Sequence, residues 1–372
     1  MHTECVNEIA EIRQTPSERG FLLAGNSKEA RQKLVKAGID FGLDKFVRCI
    51  NSGNTNLVKL FLDAGIDVNG KLDRYFEWTP LHKAAETGTA EILKILLDNN
   101  ADVKARNYGG WTPLHSAAFG NNKGTALLLL DRGGVLNAGD NDGNTPLHIA
   151  AEKNSRDAIL LLIDRKADIN AKNKSGRTPL HIAAFKNNTD AALILTEHGA
   201  DVNAKDTVGN LPLHYAAGEL DHAAANNAED IVRLLIKKGS AVNDGNNSGT
   251  TPLMLTFGLT RNYNIIYLNF NVARCLIEHG ADVNAKDNRG NSALMKTFTD
   301  PGFIDMFCEL IKCDIKNKSD RKYDLRLLDY VVYNHHKFSD KAERAQIIDH
   351  IVKHTDLCYC AKFVYIVDIS EP

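Results

Sequence analysis

The chain has 372 residues, 43% of them hydrophobic and 25% charged, an ordinary globular composition with enough apolar material for a large core, which excludes a disordered chain. Its formal net charge of −2, with both signs interspersed, leaves no broad positive field to collect a phosphate backbone, so nucleic acid is not an expected partner. Apolar runs such as Ala158 to Ile163 fall far short of the roughly 20 residues that cross a bilayer, so no membrane span is expected.

At the N-terminus, MHTECVNEIAEIRQ carries acids where a secretory signal needs a basic start and an apolar stretch. The seven cysteines, at 5, 49, 275, 308, 313, 358 and 360, have no framework spacing and suit a reducing compartment. The expected location is cytoplasmic, in the protein's own cell or after delivery into a host cell. NSKEARQKLVKAGIDFG, Asn26 to Gly42, is predicted to form a helical cap. Leu43 to Gly70 follows as a degenerate helix pair, and then KLDRYFEW, a connection two residues longer than the later ones.

From Trp78 the chain repeats. WTPLHKAAETG opens at Trp78, WTPLHSAAFGN at Trp111, NTPLHIAAEKN at Asn144, RTPLHIAAFKN at Arg177 and NLPLHYAAGEL at Asn210, each start 33 residues after the last. In most copies Thr stands where an N-cap belongs, and Pro takes the first helical position, whose missing N–H would be unpaired anyway. Leu and the Ala pair then build a short helix with a small face that lets a neighbouring helix come close. The turn after it uses Gly88, Asn121, Asn154 and Asn187, residues that accept a left-handed backbone. A second helix carries apolar positions such as Ile92, Leu93, Leu96 and Leu97 and stops at a glycine such as Gly199, Gly239 or Gly280. The stretch from Asp201 to Gly209 reads as extended chain plus a tight turn. One such copy buries too little apolar surface to be stable alone, so the copies must stack.

With a dozen positions held in register over five copies, the chain resembles the ankyrin repeat proteins from about Leu43 to Lys318. The resemblance implies an all-α repeat solenoid of stacked helix-turn-helix units with short β-hairpin fingers, curved and capped at both ends. The predicted domains are an N-terminal cap at 1–42, an array at 43–323 and a degenerate helical cap and tail at 324–372. The array divides into about eight units, at 43–78, 79–111, 112–144, 145–177, 178–210, 211–250, 251–291 and 292–323.

Five histidines recur at one position of the repeat: His82, His115, His148, His181 and His214. Equivalent atoms in stacked copies lie roughly 8–10 Å apart, the spacing of packed helices. Two nitrogens on one zinc lie only about 4 Å apart, twice a bond of ~2.0–2.1 Å. Neighbouring copies therefore cannot share a metal, and Met254 and Met295 take the position in later copies. The expected role is a hydrogen-bonding bolt between the helix start and adjacent backbone, as the resemblance also implies.

The pattern breaks in three places. Copies near 218–230 and 258–271 carry insertions between their paired helices, the second with Tyr263, Ile265, Ile266, Tyr267 and Phe270, which either fold back as local packing or form a docking protrusion. Beyond Ser319 the register is lost, although Asp324 to His336 and Ala342 to His354 keep helical spacing. There His350 and His354 stand i, i+4, with Cys358 and Cys360 just beyond. Zinc uses such donors, but Cys-x-Cys is not the usual knuckle, and no metal site is assigned.

No phosphate loop, G-x-S-x-G elbow or H-E-x-x-H stands in the chain, so no enzyme and no cofactor are expected. The resemblance implies a monomeric protein-interaction scaffold or adaptor that grips a protein partner with first-helix faces and finger tips. At those positions stand Trp78, Glu86, Tyr108, Trp111, Phe119, Asp142, Asn144, Glu152, Lys153, Arg177, Phe185, Lys186 and Asn210. Trp78 and Trp111 hold the same slot in consecutive fingers, where each either packs on its own finger or anchors the partner. The alternative reading is an ankyrin-bearing effector whose C-terminal segment is a separate functional domain targeted by the repeats.

Overall fold

The computed structural model describes residues 25–72, 75–218, 228–256, 270–283 and 285–293, with Asp349 alone beyond them. The chain falls into two compact units, Met1–Asn141 and Asp142–Pro372. Each is an all-α repeat solenoid.

The first unit begins with α1 (Gly25–Lys36), α2 (Leu43–Asn51) and α3 (Thr55–Asp63). Helix α1 lies against α3, where Leu34 is buried and Arg31 Nε donates to the Ala64 carbonyl at 2.9 Å. Two regular pairs follow: α4 (Pro80–Thr87) with α5 (Ala90–Asp98), and α6 (Pro113–Phe119) with α7 (Lys123–Asp131). First helices α4 and α6 pack on each other, as do second helices α5 and α7, which gives two rows with the core between them.

The second unit repeats the plan with first helices α8 (Pro146–Glu152), α10 (Pro179–Phe185), α12 (Pro212–Gly218) and α14 (Pro252–Leu255). Its second helices are α9 (Arg156–Asp164), α11 (Thr189–Glu197), α13 (Ala228–Lys237) and α15 (Phe270–Glu278). Each row again packs helix on successive helix.

Local chemistry accounts for the regularity. Thr79, Thr112, Thr145 and Thr178 are extended N-caps followed by Pro, so each first helix starts at a defined residue. The Ala pairs 84/85, 117/118, 150/151, 183/184 and 216/217 are at most 1% exposed, the close approach that small side chains permit. Gly88, Asn121, Asn154 and Asn187 all have positive φ, as the sequence requires. At second-helix ends Asn100 and Lys166 take the left-handed conformation that Gly133 and Gly199 take in their own copies.

The fingers differ from expectation. Among the described residues no β-strand forms, and the one isolated antiparallel bridge joins Lys286 and Ser292. The fingers are tight turns closed by two backbone bonds, such as Asn107 N–H to the Trp111 carbonyl at 3.0 Å and Gly110 N–H to the Asn107 carbonyl at 2.9 Å. A carboxylate or amide oxygen fills the loop from within: Asp206 Oδ1 accepts from the Val208 and Asn210 N–H groups. Other backbone groups reach the neighbouring finger: Thr207 N–H donates to Ser175 O and Asn247 N–H to Val208 O. Bonds between successive fingers, one from backbone and one from a Thr or Asn side chain, thus stand in for the longer ladder that a hairpin would build within itself.

Candidate partner-binding faces

The histidines are consumed by the scaffold. In the copies at 115, 148 and 181, Nδ1 accepts from the N-cap Thr N–H at 3.1 Å, with the Thr hydroxyl 2.9 Å away. An accepting Nδ1 carries no proton, which assigns the proton to Nε2. The Nε2–H groups of His82, His148, His181 and His214 donate at 2.9–3.0 Å to the carbonyls of Trp111, Arg177, Asn210 and Thr250, each in the next copy. Both ring nitrogens are engaged, so the row bolts copy to copy. Burial pushes His82 and His181 down to about 4, and lowers His214 in the same direction.

In the first unit, the slot just before Thr carries Trp78 and Trp111, whose rings meet edge-to-face with centroids 5.8 Å apart. Both are half-buried, Trp111 lying 5.7 Å from Phe119. Lys83 Nζ sits 4.9 Å above the Trp78 ring and pairs with Glu86 at 2.8 Å. The tryptophans therefore pack on each other across copies, and each also lies against the histidine of its own copy. Tyr108, at the finger tip, is 71% exposed.

In the second unit the same slot carries Asn144, Arg177 and Asn210. Arg177 Nε donates to the Tyr215 hydroxyl at 2.9 Å, and that hydroxyl donates to Asp206 Oδ2 at 2.6 Å. The guanidinium stacks 4.6 Å from the Tyr215 ring and 6.0 Å from Phe185, and its Nε lies 4.0 Å from Asp206 Oδ2. Burial pushes the Tyr215 hydroxyl up to about 12, so it stays a donor. Lys186 Nζ lies 5.1 Å from the Phe185 ring, and Lys153 lies 3.6 Å from Glu152. Arg177, Phe185, Lys186, Asp142, Asn144 and Glu152 all line one hollow of about 310 Å³.

A family model described as ankyrin repeats (3 copies) matches residues 46–140, 110–173, 126–206, 165–222 and 220–322. The chain belongs to the ankyrin repeat family. Among curated proteins, mouse protein phosphatase 1 regulatory subunit 12A is 47% identical over 55 residues, which is 15% of this chain and 5% of that protein. The rabbit and human "Ankyrin repeat, SAM and basic leucine zipper domain-containing protein 1" are 41% and 37% identical over 59 residues, 16% of this chain and 12% of theirs. The matched segments thus span a small part of each relative.

Within this ankyrin array, Asn210 is tied to groups on both sides of it. It is buried, its carbonyl accepts from His181, and its Oδ1 accepts from Asn246 Nδ2 at 2.9 Å. Asn144 is tied similarly, its Oδ1 accepting from Asn173 Nδ2 at 2.8 Å. Two further aromatics, Tyr75 and Phe76, are exposed at 82% and 64%, with the Phe76 carbonyl accepting from Tyr108 N–H. The two extra residues in KLDRYFEW were their signal. Asp206 in the finger and Tyr215 on α12, which set the pose of Arg177, gave no signal beyond the repeat consensus. No helix among the described residues is long and apolar enough to cross a membrane. The inserted loops, the terminal helix pair and the His350, His354, Cys358 and Cys360 group lie outside the described residues.

Proposed function

We propose that this ankyrin protein is a non-enzymatic, monomeric interaction scaffold or adaptor of the cytoplasm that binds a protein partner, and not nucleic acid, through first-helix and finger side chains. Ankyrin repeats are a protein-interaction architecture and generally not a catalytic one. What supports the finer reading is a division of labour. His and the slot carbonyl join copies and Thr fixes the histidine within its own copy, whereas the slot side chains and those after the Ala pair are free to differ. Trp, Tyr and Arg, the residue types that dominate interface energetics, stand at those positions.

The test is capture of binding proteins from a cell extract on immobilised full-length chain, compared with Trp78→Ala and Trp111→Ala chains that still melt cooperatively. Loss of at least part of the captured set is expected. Undiminished capture by both variants would remove the tryptophan face from the reading. Because the two rings cover each other, a third variant, Tyr108→Ser, samples the same unit without opening that contact.

A further inference from the structure

We propose that the hollow of the second unit receives an acidic side chain of the partner, flanked by an apolar residue, with its carboxylate on the open edge of Arg177. This rests on the interaction reading above and specifies the chemistry the partner brings.

Arg177 is posed from behind. Its Nε is engaged by the Tyr215 hydroxyl, which is held in turn by the buried Asp206, and its central carbon lies 4.6 Å from the centre of the Tyr215 ring. Among the described residues its two terminal nitrogens make no hydrogen bond, although the side chain is 31% exposed. A guanidinium fixed by one edge presents the other as two parallel donors, the geometry that matches a carboxylate, with little rotamer freedom left to lose. Lys174, exposed and without an ion pair among the described residues, and Lys186 line the same hollow. Two acids line it as well, but Glu152 already has Lys153 at 3.6 Å. With Lys153 set against Glu152 and Asp206 behind Arg177, the four cations Lys153, Lys174, Arg177 and Lys186 exceed the three acids Asp142, Glu152 and Asp206 by one charge. Ile149, Ile182 and Phe185 supply an apolar wall beside it, which suits an aliphatic or aromatic neighbour in the bound segment.

The probe is a library of phage-displayed random dodecapeptides panned on the folded full-length chain. Binding of the best clone, as a fluorescein-labelled synthetic peptide, is then measured by polarisation. The expected enrichment is Asp or Glu next to Leu, Ile or Phe. Affinity should fall roughly tenfold or more on Arg177→Lys, which keeps the charge and loses the fork, and on Glu→Gln or Asp→Asn within the peptide. Lys174→Glu, at an exposed position that leaves the fold untouched, should weaken binding by a smaller factor. Absence of enrichment, enriched clones without an acid, or equal affinity for Lys174→Glu and the parent would overturn the proposal. Should that happen while protein capture still depends on Trp78 and Trp111, the scaffold reading stands and only this site is lost.

Discussion

Trp111 in the first unit and Arg177 in the second stand at the same position of the repeat, two copies apart, with the same backbone role. Each carbonyl accepts the Nε2–H of the preceding copy's histidine at 2.9 Å. Their side chains live in different surroundings. Trp111 has another tryptophan edge-on and Phe119 beside it, an aromatic corner. Arg177 lies on Tyr215, backed by a carboxylate that is 2% exposed. The scaffold thus dictates where the slot is and leaves its chemistry to the neighbouring copy. One fold carries an aromatic face in one unit and a cationic hollow in the other.

Acid should affect the bolts of both units alike and is the largest expected effect. His82 and His181 are held near 4 when folded, below the ordinary value of about 6.5, so the unfolded chain binds more protons between these values. Their stabilisation is fully present above pH ~6.5 and is lost as pH falls toward 4, on the order of 3 kcal/mol for each. Thermal melts from pH 7.5 to 4 should show this decline, and a flat profile between pH 6.5 and 4.5 would break the shared-bolt account.

Asp206→Ala should separate the units. It removes the acceptor of Tyr215 O–H and of two backbone N–H groups and leaves Arg177 without its counter-charge. A loss of about 3 kcal/mol is expected, and hydrogen exchange should place it around α10 and α12 with α4 and α6 unaffected. Uniform loss of protection would mean that the units do not open independently.

The smallest effect sharpens the comparison at second-helix ends. Lys166 has φ 70° where Gly133 has φ 90°, and the left-handed region disfavours a side chain. Lys166→Gly should gain, and Gly133→Lys should lose, about 1 kcal/mol or less in a urea titration. Space is not an issue at Gly133, since nothing lies within 4 Å of an added Cβ. Equal signs for the two substitutions would contradict the backbone explanation.

Much of the fold was legible because each repeat position has a local physical role. Thr-Pro sets a helix start, the Ala pair sets an approach distance, and Gly or Asn sets a turn, all within one copy's own sequence. The fingers were less legible. Extended residues near Asp201 to Gly209 suggest hairpins, yet beyond the bonds that close the turn their hydrogen bonds run to neighbouring fingers and to an internal Asp or Asn side chain. The candidate faces were legible as positions only. Asn210 occupies a variable slot, but the amide of Asn246, which binds it, comes from 36 residues further along.

Sequence alone determined the helix-pair architecture, the family and the structural duty of the histidines, because period and capping chemistry act over a few residues and recur. Tertiary structure decided which variable side chains remain available. Whether Trp111 stacks, Arg177 is clamped or Asn210 is covered depends on what the adjacent copy places against it. That distance in space is short while the distance along the chain is about one repeat, so no local pattern encodes it.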